Sequence, residues 1–66
     1  MIKLNGIGTS LKYLRSKHKI SQKQLAEKLN IHQTMVSKFE RNIQIPSDKI
    51  IKRIERFFNE PLRREF

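Results

Sequence analysis

The chain has 66 residues and a formal net charge of +9, from 15 Lys and Arg against 6 Asp and Glu. A chain of this length buries only ~60% of its unfolded surface, so we expect a single domain spanning 1–66. It has no cysteine, which excludes disulfides and Cys-ligated zinc. No stretch approaches the ~20 apolar residues that cross a bilayer. The N-terminus lacks the apolar run of a signal peptide, so we expect a cytoplasmic protein.

The positive charge is concentrated in the first part of the chain. Residues 1–26 contain six Lys or Arg and no acidic residue. A field of this kind attracts polyanions, and nucleic acid is the most common of them.

The first half of the chain reads as two short helices. The spacing of apolar residues predicts a helix over about 7–18, and Ile20 is expected to be a buried anchor in the connection that follows. A second helix begins at Ser21, where Ser21 and Gln24 have the spacing of a capping box. Asn30 ends it, because Asn enters the left-handed region at modest cost. The inward-facing residues of these two helices are Leu11, Leu14, Leu25, Ala26 and Leu29.

Two more helices follow. One spans about 33–41 and ends at Asn42, a second candidate for the left-handed region. After a connection that contains Pro46, Ser47 is a suitable N-cap and Asp48 suits the positive start of the last helix. Pro61 begins at most one further short turn in a tail over 59–66. The apolar residues at helical spacing here are Val36, Phe39, Ile50, Ile51, Ile54, Phe57 and Phe58.

These residues together resemble the lambda-repressor, Cro and Xre-like helix-turn-helix family over about 7–58. The matching residues are Ile7-Gly8, Leu14-Arg15, Ser21-Gln22, Leu25-Ala26, Asn30-Ile31, Val36-Ser37, Phe39-Glu40-Arg41 and Pro46-Ser47. Asn30 and Asn42 depart from the glycines usual in the family, but they tolerate the same backbone region. The resemblance implies an all-α fold, a compact four- to five-helix lambda-repressor-like domain with the helix-turn-helix at about 22–41.

In this family the helix after the turn enters the DNA major groove, which makes 33–41 the expected recognition helix. Spacing separates a polar face from a face that holds Val36, Phe39 and Glu40. Gln pairs with adenine N6 and N7, Lys donates to guanine O6 and N7, and the Thr methyl contacts thymine. We therefore expect the base-reading residues to be Gln33, Thr34, Ser37 and Lys38.

Other polar residues are expected at the DNA backbone. The resemblance implies that Gln22 touches a phosphate and braces Gln33. It also places Arg15 and Glu40 as a partly buried structural ion pair. His32 is a poor N-cap, and a phosphate contact and a simple exposed position remain equal alternatives for it. The expected phosphate-contacting residues are Gln22, Lys23, His32, Arg41, Asn42, Gln44, Lys12 and Lys19.

The last helix is apolar over a wide arc. Periodicity assigns Ile50, Ile54 and Phe57 to the core. A strip formed by Phe58, Leu62 and Phe66 is then left exposed, and we expect it to supply the contacts of a weak homodimer, at least on DNA. A symmetric dimer would read a palindromic operator in double-stranded DNA.

Function classes other than DNA regulation are less well supported. The leading alternative is an antitoxin or anti-regulator that uses the fold mainly to bind another protein. The sequence has no paired carboxylates at useful spacing and no glycine-rich phosphate loop, so we expect no enzyme activity. His18 and His32 lie on different predicted elements without an acidic cluster, so we expect no metal site. We expect no cofactor and no small-molecule ligand.

Overall fold

The computed structural model describes residues 6–62, and within this range the chain is helical without a β-strand. Four helices follow one another: α1 (Gly6–Lys17), α2 (Gln22–Leu29), α3 (Gln33–Glu40) and α4 (Asp48–Phe58). The all-α prediction is confirmed, and each helix begins within about two residues of the predicted position. No helix forms between 59 and 62. None of the helices in the described range is long and apolar enough to cross a membrane.

The N-caps predicted from sequence are confirmed. The amide of Gln24 donates to Ser21 Oγ (3.0 Å), and the amide of Ser21 donates to Gln24 Oε1 (2.8 Å). Ser47 Oγ accepts from the amide of Ile50 (3.3 Å) at the start of α4. These bonds satisfy backbone donors that have no partner within the helix, and so fix where α2 and α4 begin.

Left-handed residues close the connections between the helices. Asn30 (φ 58°) and Asn42 (φ 59°) adopt the conformation expected of them, and Asn59 does so after α4. The amide of Asn30 donates to the carbonyls of Ala26 and Glu27, which satisfies the end of α2. Lys19 is also left-handed (φ 57°), an unfavourable choice for a residue with a Cβ that the sequence did not signal.

One hydrophobic core joins all the helices. The inward-facing residues predicted for α1, α2 and α3 are all buried, and Leu11, Leu25 and Val36 are fully enclosed. Ile20, the expected anchor of the first connection, is partly buried against this cluster. The core comprises Leu11, Leu14, Leu25, Ala26, Leu29, Val36, Phe39, Ile51, Ile54, Phe58 and Leu62.

The two phenylalanines of α4 exchange their expected roles. Phe58 is only 4% exposed and Leu62 9%, whereas Phe57 is 41% exposed. With Ile54 at the centre of the core, the 3.6-residue repeat turns Phe58 inward and leaves Phe57 at the edge. The amide of Leu62 donates to Glu55 Oε2 (2.8 Å), which holds the returning chain over the core. The prediction that Phe58 and Leu62 form part of an exposed strip is therefore wrong, and Phe66, its third member, lies outside the described residues.

An exposed ion pair fastens the segment after α4 to the end of α1. Lys17 Nζ lies 3.0 Å from Glu60 Oε2, and His18 Nε2 lies 3.4 Å from the same oxygen. The ring of His18 also packs on that of Phe58, with centroids 4.9 Å apart. The hydrogen bond from Lys17 holds the pKa of Glu60 below its ordinary value, with a smaller contribution from His18. The same bond raises the pKa of Lys17.

Acidification is expected to release this contact. A carboxyl whose folded-state pKa is lowered contributes stability above its unfolded-state pKa, and that contribution is lost as the pH falls through the folded-state pKa. An NMR titration of the Glu60 carboxyl should therefore give a midpoint below the ordinary glutamate range, and Lys17→Gln should raise it. The same midpoint in both proteins would contradict the assignment of Lys17 as the cause.

Candidate nucleic-acid interface

Helix α3 presents one apolar face to the core and one polar face to solvent. Val36 and Phe39 are 0% and 1% exposed. On the other side Gln33 and Thr34 are exposed, and Ser37 and Lys38 are half-buried. These four are the predicted base-reading residues, so the structure brings them together on one helix, with the two at its beginning most open.

The beginning of α3 is also open to an anion. His32 occupies the N-cap with extended backbone, but its side chain makes no capping hydrogen bond. The first turn of α3 contains no acidic residue. The first amides of a helix lack intrahelical partners and carry the positive end of the helix dipole, so this terminus favours a phosphate or another acceptor. The expectation that His32 is a poor cap is confirmed.

A buried carboxylate fixes α3 to the rest of the fold. Glu40 Oε2 accepts from Arg15 Nε (2.6 Å), and Glu40 Oε1 accepts from Arg15 Nη2 (3.0 Å). Arg15 Nη1 donates to the carbonyl of Ile20 (3.1 Å) in the connection between α1 and α2. The Glu40 side chain is 3% exposed and that of Arg15 17%. The hydrogen bond to Glu40 raises the pKa of Arg15 above its ordinary value. The ion pair implied by the family resemblance is therefore present, and both partners are hydrogen-bonded.

Gln22 joins the same network. Its Nε2 donates to Glu40 Oε1 (3.0 Å). The resemblance implied a brace between Gln22 and Gln33, but in this structure the Gln22 amide group is held by Glu40 instead. The reason is local, because the Arg15 guanidinium leaves Glu40 Oε1 with a lone pair that the first residue of α2 can reach. One carboxylate consequently links α1, the start of α2 and the end of α3.

Asn42 makes a second connection between α3 and α1. Its Oδ1 accepts from the amide of Gly8 (3.2 Å). This amide lies in the first turn of α1, where backbone donors need a partner from outside the helix. A glycine at position 42 would allow the same backbone conformation but supply no acceptor. Asn42, a predicted phosphate contact, thus has a structural role that sequence reasoning missed, and its amide hydrogens remain the part suited to phosphate.

Gly8 is needed at this crossing because the chains approach closely. A Cβ at position 8 would collide with the backbone carbonyl of Phe39 and with the Asn42 side chain. Gly8→Ala should therefore lower the free energy of unfolding by ~1–3 kcal/mol, although alanine favours helices by as much as ~1 kcal/mol. Denaturant unfolding of Gly8→Ala beside the exposed neighbour Thr9→Ala tests this. A Gly8→Ala protein as stable as Thr9→Ala would contradict the close approach.

The remaining predicted phosphate contacts are distributed over several elements. Gln22 is half-buried at the start of α2. Within residues 6–62 no side-chain hydrogen bond or ion pair joins the others to α3, although the backbone amides of Arg41, Asn42 and Gln44 donate to carbonyls of that helix. The exposed members are Lys12, Lys19, Lys23, His32, Arg41, Asn42 and Gln44.

Sequence reasoning also missed two exposed apolar residues beside this surface. Ile43 and Ile45 follow α3 and are 63% and 78% exposed, while Pro46 after them is buried. No local pattern predicts this exposure, because two isoleucines before a proline are equally compatible with a packed connection. Among the described residues no group of three or more His, Cys, Asp or Glu is placed to hold a metal ion.

Two helices joined by a short left-handed turn, with the second carrying a polar exposed face, define a helix-turn-helix DNA-binding domain. The chain belongs to the helix-turn-helix family of the Cro and C1 type, because the model of that family matches residues 11–64. Membership makes the protein a DNA-binding regulator of the Cro and Xre type. No curated protein matches the chain.

Proposed function

We propose that the protein is a cytoplasmic transcriptional repressor that reads the major groove of a specific operator with α3. The observation that carries this proposal is the polar face of α3, where Gln33 and Thr34 are exposed at the open end of the helix. An amide, a hydroxyl with its methyl group, and an ammonium are the groups that distinguish base pairs in the major groove. Repression requires only that this surface occupy the operator.

The hydrogen bonds that hold α3 in place support sequence-specific base recognition rather than non-specific electrostatic binding. Glu40 is held by Arg15 and Gln22, and Asn42 is held by Gly8, so the end of α3 is fastened to α1 and α2. A base-reading side chain discriminates only when its backbone is fixed relative to the groove. Exposed cations on α1, the first connection and α2 supply the phosphate contacts that set this position: Lys12, Lys19 and Lys23.

The repressor is proposed to act as a weak homodimer that forms on DNA. Each copy carries a net charge of +9, so two copies repel in solution. DNA neutralises this charge at the operator and makes close approach favourable. The burial of Phe58 and Leu62 removes them as dimer contacts, and the exposed apolar residues nearest to α3 in sequence are Ile43 and Ile45.

The proposal is tested by selecting binding sites from a random duplex pool with the purified protein at near-physiological salt. We expect enrichment of a palindrome whose half-sites lie ~34–36 Å apart on one face of the duplex. Enrichment of a single asymmetric site would contradict the dimer but would still support base recognition by α3. No enrichment, with binding that collapses as salt rises, would contradict sequence-specific regulation altogether.

A further inference from the structure

The solvent face of α4 forms a second basic surface. Lys49, Lys52, Arg53 and Arg56 are all exposed. Their spacing of three and four residues places them on one side of the helix. The opposite side is the buried one that contains Ile54. We call these four cations the α4 basic face.

Among residues 6–62, no close ion pair neutralises the α4 basic face, although the acidic residues Asp48 and Glu55 lie about one turn from Lys52 on the same helix. No carboxylate of the described residues forms an ion pair with any of its four cations. Glu40 and Glu60 pair with cations of α1, and Glu55 accepts from the amide of Leu62. Clustered cations without a paired carboxylate on one helix face are a complementary surface for a polyanion.

An exposed aromatic ring adjoins the α4 basic face. A concavity between the end of α2 and α4 is lined by Lys28, Leu29, Arg53, Arg56 and Phe57. The Phe57 ring is 41% exposed here, although Phe58 beside it is buried. A partner that fills this concavity must therefore offer an apolar group between negative charges.

This surface lies away from the start of α2, where Gln22 is expected to meet a phosphate. Arg53 donates to the carbonyl of Leu29, the last residue of α2. Gln22 and Leu29 are separated by the length of α2, ~10 Å at 1.5 Å per residue. Both α3 and α4 bury their apolar sides in the same core, and their polar sides lie at the surface.

We propose that the α4 basic face and the Phe57 concavity bind an acidic protein segment that carries an apolar side chain between carboxylates. A DNA backbone would satisfy the cations, but its apolar atoms are confined to the deoxyribose rings, and it has no projecting apolar side chain to fill the concavity. A second copy of this chain is a poor occupant, because it brings the same positive charge. The protein thus has two recognition surfaces, one for DNA bases and one for an acidic partner.

The probe for this proposal is a synthetic peptide of ~11 residues, about three helical turns, with glutamates flanking a central leucine. A matched peptide has glutamine in place of each glutamate. Titrated into the 15N-labelled full chain, the acidic peptide should shift the amide signals of α4 and Lys28, and the glutamine peptide should not. Lys52→Glu with Arg56→Glu should weaken binding at least about tenfold. Phe57→Ala should weaken it several-fold without removing any charge.

Matched controls separate this surface from general charge and from DNA binding. Lys12→Glu with Lys23→Glu changes the net charge equally, and we expect it to leave the peptide affinity within about twofold. An equal loss in both double variants would overturn the proposal, as would shifts confined to α3. A random-sequence duplex that shifts α4 as strongly as the peptide does would assign the face to nucleic acid instead. If a charge-reversed variant does not fold, the affinity of Phe57→Ala and the positions of the shifted amide signals still test the proposal.

Discussion

Glu40→Ala is expected to lower the free energy of unfolding by about 3 kcal/mol, the largest effect on stability that we predict. The side chain of Glu40 is 3% exposed and accepts from Arg15 and Gln22. Its removal leaves the half-buried Arg15 guanidinium without a counter-charge. Because Arg15 retains 17% exposure, water restores part of the loss, which places the effect at the lower end of the ~3–5 kcal/mol typical of broken buried pairs.

Denaturant unfolding followed by circular dichroism measures this loss. Glu27→Ala is the matched control, because Glu27 is an exposed glutamate of α2 with no described ion pair, and we expect its stability within ~0.5 kcal/mol of the original. Replacing both partners with apolar residues, Arg15→Met with Glu40→Leu, should recover much of the stability. An unfolding curve for Glu40→Ala that matches that of Glu27→Ala would contradict the role assigned to the carboxylate.

The second large effect concerns DNA. Gln33→Ala should weaken binding to the selected operator by ~1–3 kcal/mol, and the loss should relax specificity at one base-pair position of each half-site. The physical reason is that the exposed Gln33 amide has both a donor and an acceptor for one adenine edge, whereas alanine leaves that edge unread. Affinities measured on a panel of single-base operator variants detect the change.

Lys23→Ala is the contrasting variant, because an exposed lysine of α2 is expected to meet a phosphate. This substitution should weaken binding to all operator variants alike, and it should reduce the slope of log affinity against log salt concentration by about one. If Gln33→Ala also weakens all operator variants alike, Gln33 is a backbone contact and our assignment of the reading residues is wrong.

Local chemistry made much of this fold predictable. Ser21 and Ser47 cap helices because their hydroxyls accept from nearby amides, and Asn30 and Asn42 adopt left-handed conformations at helix ends. Each of these choices depends on a few neighbouring residues. The polar face of α3 was equally predictable from the sequence, because two buried residues in an eight-residue helix fix its rotation about its own axis.

Features that depend on distant parts of the chain were not predictable. Helical periodicity is compatible with Ile50, Ile54 and Phe57 or with Ile51, Ile54 and Phe58 on the buried side, and packing against the other helices selects the second set. Asn42 meets Gly8 across 34 positions, and no local pattern announces that contact. In the candidate site, the exposed polar face of α3 was predicted, but the position of any phosphate contact depends on DNA geometry that the sequence does not encode.

Base reading by α3 is tested by comparing operator duplexes that carry single changes in the major groove. Replacing adenine by 7-deazaadenine removes the N7 acceptor from the major groove and leaves base pairing intact. We expect this change to weaken binding by ~1–3 kcal/mol at the adenine read by Gln33, and to cause no further loss at that position in the Gln33→Ala protein. Unchanged binding to every 7-deaza duplex, with losses only on minor-groove changes, would contradict recognition of the major groove by α3.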